Sequence, residues 1–397
     1  MGIVDVDGLL AEVAADVGLD DYGASSFRDG LEVLWEAGRR EAELTEVGVL
    51  VLEGHIRASL ANRLRVVEWH RTHPDLAATS VDAPLVLVGL PRTGTTVLSH
   101  LLAADPANRS LLGWEVNESL PPPAAATYAT DPRYLRACQE PHPVYALNPA
   151  VKAIHYDGPG DPVECIWLYA QHFQSVLFPV IFNIPSYDEW LLAADWSDAT
   201  RYHRSVLQVL QSECPGRWQL KSTHYSLQLE TLLACYPDAR LVVTHRDPVT
   251  VVASTFSLLR SASSTFTETD FTGYLASQVP TLIAAMADRS MDARDRIGDE
   301  RFFDVFYDDI VRDPVAVVRS IYAHYAMEYD DETDRRLRQV HAENPQHRFG
   351  RHEYSLADMG IDRDALEARF ARYSDRYGLA RRSCPPTTGA LFGRAKP

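Results

Sequence analysis

The residues with the clearest chemistry in this 397-residue chain are Arg92, Thr93, Gly94, Thr95 and Thr96, in the run Pro91-Arg-Thr-Gly-Thr-Thr96. An apolar, β-branched stretch, Leu85 to Leu90, precedes them, and a helical pattern beginning at Gly94 follows. A strand, a glycine-punctuated loop and a helix N-terminus in that order aim backbone N–H groups at an anion. Gly89 and Gly94 have the spacing of the two glycines in a nucleoside-triphosphatase P-loop, but the lysine slot of that motif holds Thr95. The cation that reaches the β- and γ-phosphates is therefore missing, and the loop's one cation is Arg92. Such a loop suits a nucleotide with a short anionic 5′ tail better than a triphosphate.

Two more polar clusters end apolar runs: Lys221-Ser-Thr-His224 and His245-Arg-Asp-Pro248. In a parallel sheet the carboxyl ends of strands share one edge, so three clusters distant in sequence can line one crevice. Each is weak alone. A lysine at a strand end is commonly a solvated terminus, and Asp247-Pro248 also reads as helix punctuation, Asp at the N-cap and Pro in the first turn.

The elements that must position these residues follow from periodicity. Residues 1–82 read as a helical prefix packed on the core, with stripes Leu9, Leu10, Val13, Val17 and Phe27, Leu31, Leu34, Trp35, then a long helix from Leu44 to about His70. Residues 83–380 read as an α/β domain, a P-loop-like parallel sheet flanked by helices. Its strands are expected at 85–90, 218–221, 239–244 and 302–306, and its helices at 226–235, 248–259, 271–296 and 309–323. Residues 105–215 form a Pro- and aromatic-rich insertion, expected to be helical and to build a pocket for a second substrate. Its His155, His172, His203, Asp161 and Glu164 read as structural or solvated. Residues 381–397 read as a loose tail.

Composition narrows the function. The net charge of −17 argues against nucleic acid or an anionic membrane as partner, so an anionic nucleotide must be held by a local basic cluster. Lysine occurs only at 152, 221 and 396, which leaves arginine as the cation. Cys138, Cys165, Cys214, Cys235 and Cys384 are odd in number and lack C-x-x-C pairing, as expected of reduced thiols in a cytoplasmic protein. No apolar run approaches the roughly 20 residues of a spanning helix. No metal-binding spacing occurs either.

Taken together, these motifs resemble the sulfotransferases that use 3′-phosphoadenosine 5′-phosphosulfate (PAPS), above all their bacterial branch. The resemblance runs from about Pro84 to Gly378. It includes Pro91 to Thr96, Trp114-Glu115, Trp218 to His224, Pro237 to Pro248, Ser254, Tyr307 to Pro314 and Gly350 to Tyr354. It implies that Arg92, Thr93, Gly94, Thr95 and Thr96 wrap the 5′-phosphosulfate and that Arg246 and Ser254 hold the 3′-phosphate. Tyr307 would lie near the adenine, although a core tyrosine at a strand end has the same appearance. The C-terminal R-K-G triplet of cytosolic members is absent, and Arg351, with Arg348 or His352, is the positional substitute. Lys221 matches a lysine on the bridging oxygen or sulfuryl group. Both His224 and Glu115 match catalytic bases of different branches, and Glu115 can instead orient Arg92 or Lys221.

The expectation is a sulfotransferase that moves a sulfuryl group to a hydroxyl of a hydrophobic small molecule, leaving adenosine 3′,5′-bisphosphate (PAP) and using no metal. A P-loop kinase and a non-catalytic nucleotide-binding protein are the rivals. Homo-oligomerisation is left open.

Overall fold

The computed structural model describes residues 5–140, 158–343 and 356–379. Three helices lead the chain: α1 (Val6–Val17), α2 (Phe27–Arg40) and α3 (Glu46–Thr72). Asp5 and Thr45 cap α1 and α3 by accepting the N–H groups of Gly8 and Gly48. The stripes of α1 and α2 are buried, and with Leu52, Ile56 and Leu60 of α3 they join the same apolar core as Trp218 and Tyr225.

The sheet has five parallel strands: β1 (Leu85–Gly89), β2 (Asn108–Ser110), β3 (Arg217–Lys221), β4 (Arg240–His245) and β5 (Phe302–Phe306). Their spatial order is β2-β3-β1-β4-β5. β1 is therefore central, buried at every position, with Leu87 beside Lys221 on one flank and Gly89 beside Thr244 on the other. From β1 the chain runs to β2 and returns through β3 on one flank, then passes β1 to β4 and β5 on the other, and the carboxyl ends at such a switch point frame a crevice.

α4 (Thr95–Ala103) starts at the end of the loop after β1. α5 (Gly113–Asn117) follows β2, and the insertion continues with helices that include Ile166–Ala170 and Ser197–Gln211. α6 (Pro248–Ser263) leaves β4, capped by Asp247 on the N–H groups of Val249 and Thr250. α7 (Thr272–Ile297) then crosses to β5.

The helix expected over 309–323 is two helices, α8 (Tyr307–Arg312) and α9 (Pro314–His324). Asp313, preceding a proline, is forced out of the helical region (φ −157°, ψ 87°) and caps α9 instead. The helix expected from 226 is a tight turn, Thr223–Leu227, followed by a helix over Leu229–Cys235.

Candidate nucleotide and transfer site

The loop after β1 keeps its shape because two glycines occupy conformations closed to other residues. Gly89 has φ 146°, and a Cβ there would lie 2.7 Å from the Thr244 carbonyl oxygen of the neighbouring strand. Gly94 has φ 95°, and its Cβ would lie 2.8 Å from Ile310 Cδ1 of α8. Between them Arg92 adopts φ 64°, a left-handed conformation that costs a non-glycine residue of order 1–3 kcal/mol. Thr93 fixes the turn from inside. It is fully buried, its hydroxyl 2.6 Å from the Leu90 carbonyl and 2.6 Å from the Thr244 hydroxyl.

Three residues from other elements reach this loop. Arg246, just past β4, donates from Nη1 to the Arg92 carbonyl at 2.8 Å and lies over the Tyr307 ring, 3.9 Å from its centroid. Ser254, on α6, accepts from Arg92 Nε at 3.1 Å. Lys221, at the end of β3, is 1% exposed, and its Nζ stands 3.4 Å from Thr96 Oγ1 on the first turn of α4. Arg92, Thr93, Gly94, Thr95, Thr96, Lys221, Arg246, Ser254 and Tyr307 thus gather at one rim. Asp247-Pro248 is helix punctuation: Asp247 caps α6, while Arg246 turns to the loop.

His224 sits in the turn after β3, within an aromatic cage. Its ring stacks on Trp196 (5.2 Å, 13°) and meets Tyr169 edge-on at 4.2 Å. Nδ1 is 2.6 Å from the Ser222 hydroxyl, and Nε2 has no hydrogen-bond partner among the described residues. Burial, reinforced by His203, pushes the imidazole well below its ordinary range, so it is neutral near pH 7.

Glu115 has both oxygens engaged on the β2 side of the fold. It is wholly buried in α5, bound to Arg109 Nη2 at 2.7 Å, while its second oxygen accepts the Leu112 N–H at 3.0 Å. Burial pushes its carboxyl up, against the opposing pull of Arg109 and the Leu112 amide. Both oxygens serve the start of α5 and a buried cation. Arg351, with Arg348 and His352, lies outside the described residues.

One acidic residue that sequence reasoning set aside also reaches the rim. Glu164 brings Oε1 to 4.0 Å from Lys221 Nζ, and its Oε2 accepts the Thr223 N–H at 3.4 Å. His172 and His203, by contrast, are buried in the helical layer, where desolvation pushes both down to about 3. Among the described residues no cluster of His, Cys, Asp and Glu could hold a metal ion. No helix there is long and apolar enough to cross a membrane.

A glycine-bounded loop without a P-loop lysine, met by an arginine that follows β4 and a lysine that ends β3, is the arrangement of a group transferase more than of a triphosphatase. A family model described as "Sulfotransferase family" matches residues 84–331, which span the sheet and this rim. The chain belongs to the sulfotransferase family, and it is a sulfotransferase. Its fold is similar to the crystal structure of sulfotransferase STF9 from Mycobacterium avium, with a TM-score of 0.85 and 33% identity over 94% of this chain and 97% of that one. Sulfotransferase STF1 from Mycobacterium tuberculosis H37Rv aligns with a TM-score of 0.82 and 31% identity, over 93% and 99% of the two chains. An omega-hydroxy-beta-dihydromenaquinone-9 sulfotransferase, Stf3, from Mycobacterium bovis is 23% identical over 312 residues, 77% of each chain.

Proposed function

We propose that the sulfuryl donor is PAPS and the acceptor a hydroxyl group on a hydrophobic small molecule. The observation that carries this reading is the bond from Arg246 Nη1 to the Arg92 carbonyl, which joins stretches 154 residues apart into one anion-binding rim. The loop suits a 5′-phosphosulfate. Gly94 leaves no room for a side chain, so the ligand would face backbone N–H groups and the start of α4. Arg246 and Ser254, on the far side of the loop, would hold the 3′-phosphate, where a guanidinium fork can bind two oxygens. Tyr307, already beneath Arg246, would border the adenine. When bound, PAPS supplies the sulfuryl group and a stable leaving group.

Lys221, whose Nζ lies beside Thr96, would oppose the negative charge that grows on the departing oxygen. His224, which the resemblance offers as a base, is neutral and enclosed in its aromatic cage in the turn after Lys221. The aromatic insertion supports a hydrophobic acceptor, as does the likeness to an enzyme named for a hydroxylated dihydromenaquinone. Reaction in the cytoplasm fits the thiol pattern and this donor.

Thermal-shift titration tests the donor. PAP is expected to raise the melting temperature with increasing concentration, because a ligand selective for the native state stabilises it, whereas ATP with Mg²⁺ is not. The reverse pattern would remove PAPS as the donor.

A further inference from the structure

We infer that Glu164 is a catalytic residue, the carboxylate that takes the proton of the acceptor hydroxyl. This role rests on the proposed donor and acceptor. It begins with how the residue is held. The N–H of Val163 donates to the Leu111 carbonyl at 2.8 Å, and the N–H of Cys165 donates to the Lys221 carbonyl at 2.8 Å. Pro162 and Leu112 form an antiparallel bridge. Glu164 is therefore pinned on both sides to the carboxyl ends of β2 and β3, and its side chain is carried to the lysine that ends β3.

Three acid–base groups can be compared for access. Both oxygens of Glu115 are bonded inside the protein, in a fully enclosed position. His224 Nε2 lacks a partner but is sealed from solvent within its aromatic cage. The Glu164 side chain keeps 16% of its surface exposed while touching the machinery of the site. A proton acceptor must come within hydrogen-bond reach of the acceptor oxygen, and Glu164 is the group of the three with an open approach.

Its pairing with Lys221 is loose. At 4.0 Å it lies at the limit of an ion pair, and the Thr223 N–H contact is long at 3.4 Å. A counter-ion held this loosely can yield Lys221 to the donor and turn to the acceptor. In the reaction the acceptor oxygen forms its bond to sulfur as the bond between sulfur and the bridging oxygen breaks. The bridging oxygen departs with the electron pair on PAP, and the hydroxyl proton goes to Glu164 and then to water.

The test compares Glu164→Gln with the unmodified enzyme on two acceptors, 1-decanol, whose proton is tightly held, and 4-nitrophenol, already ionised near neutral pH. A proton acceptor predicts a loss of kcat of about 100-fold or more with the alcohol and under about fivefold with the phenol. Affinity for PAP, measured by calorimetry, should stay within about threefold. Equal losses with both acceptors, or loss of PAP binding in step with turnover, would reduce Glu164 to a counter-ion for Lys221 and overturn the role. Inertness of the unmodified enzyme towards both acceptors despite PAP binding would overturn it too. Should Glu164→Gln melt early, Glu164→Asp keeps the acid and must retain the same selectivity between the acceptors. Failure of the unmodified enzyme to bind PAP is a separate result, which removes the donor assignment itself.

Discussion

Two regions of this molecule set arginine against aromatic rings, fully buried in one and half-buried in the other, and use it differently. On the β2 side, Arg109 lies 4.4 Å from the Trp218 ring centroid and is locked to the enclosed carboxylate of Glu115 and to the Leu210 carbonyl. At the rim, Arg246 lies 3.9 Å from the Tyr307 centroid, but it donates to a loop carbonyl, and no carboxylate pairs with it among the described residues. A buried cation matched by a buried anion makes structure. A cation packed in place and matched only by a neutral dipole retains most of its field for an incoming anion.

Three substitutions break or sharpen that contrast. The largest effect is expected of Arg109→Ala, which strands the Glu115 carboxylate and should cost about 3–5 kcal/mol of folding stability, read from denaturant unfolding. Its folded fraction should still bind PAP with unchanged affinity; a matching loss of affinity would erase the distinction between the regions. Arg246→Ala should show the reverse, little change in unfolding and a loss of about 1.5–3 kcal/mol in PAP binding by calorimetry. Undiminished affinity in that variant would refute the 3′-phosphate assignment. Ser254→Ala is the mildest, since it removes a neutral hydroxyl, and should weaken PAP by about 0.5–1.5 kcal/mol. A larger effect than that of Arg246→Ala would mean that the serine, by holding Arg92 Nε, sets the loop rather than the 3′ end.

The parts legible in the sequence are those where one signal dominates. β1 and β4 are short, mostly apolar runs, and β1, β3 and β4 all end in polar clusters that a parallel sheet brings together, so Lys221 and Arg246 could be placed before any geometry. β2 was not legible: Asn108-Arg-Ser110 is a three-residue polar segment at the sheet edge, given its conformation by β3 and not by its own pattern. The break at Asp313-Pro314 was available, since a residue before proline resists the helical conformation, but the surrounding apolar period concealed it.

Among the site residues, Glu115 matches a family motif and also has a local use in the helix start. It is the third residue of α5 and reaches back to the Leu112 amide, the position of a helix-capping acid. Glu164 shows the opposite. Its place depends on two backbone bonds, to strands more than fifty residues away in opposite directions along the chain, which no local pattern encodes.

The bond between Arg246 and the Arg92 carbonyl also bears on how the nucleotide is captured. A guanidinium already immobilised on an aromatic face has surrendered its rotamer freedom during folding, so little ordering remains to be done at the moment of encounter. Capture at this end should then proceed as a nearly rigid docking event, with selectivity written into the resting shape of the crevice rather than acquired by closure around the visitor.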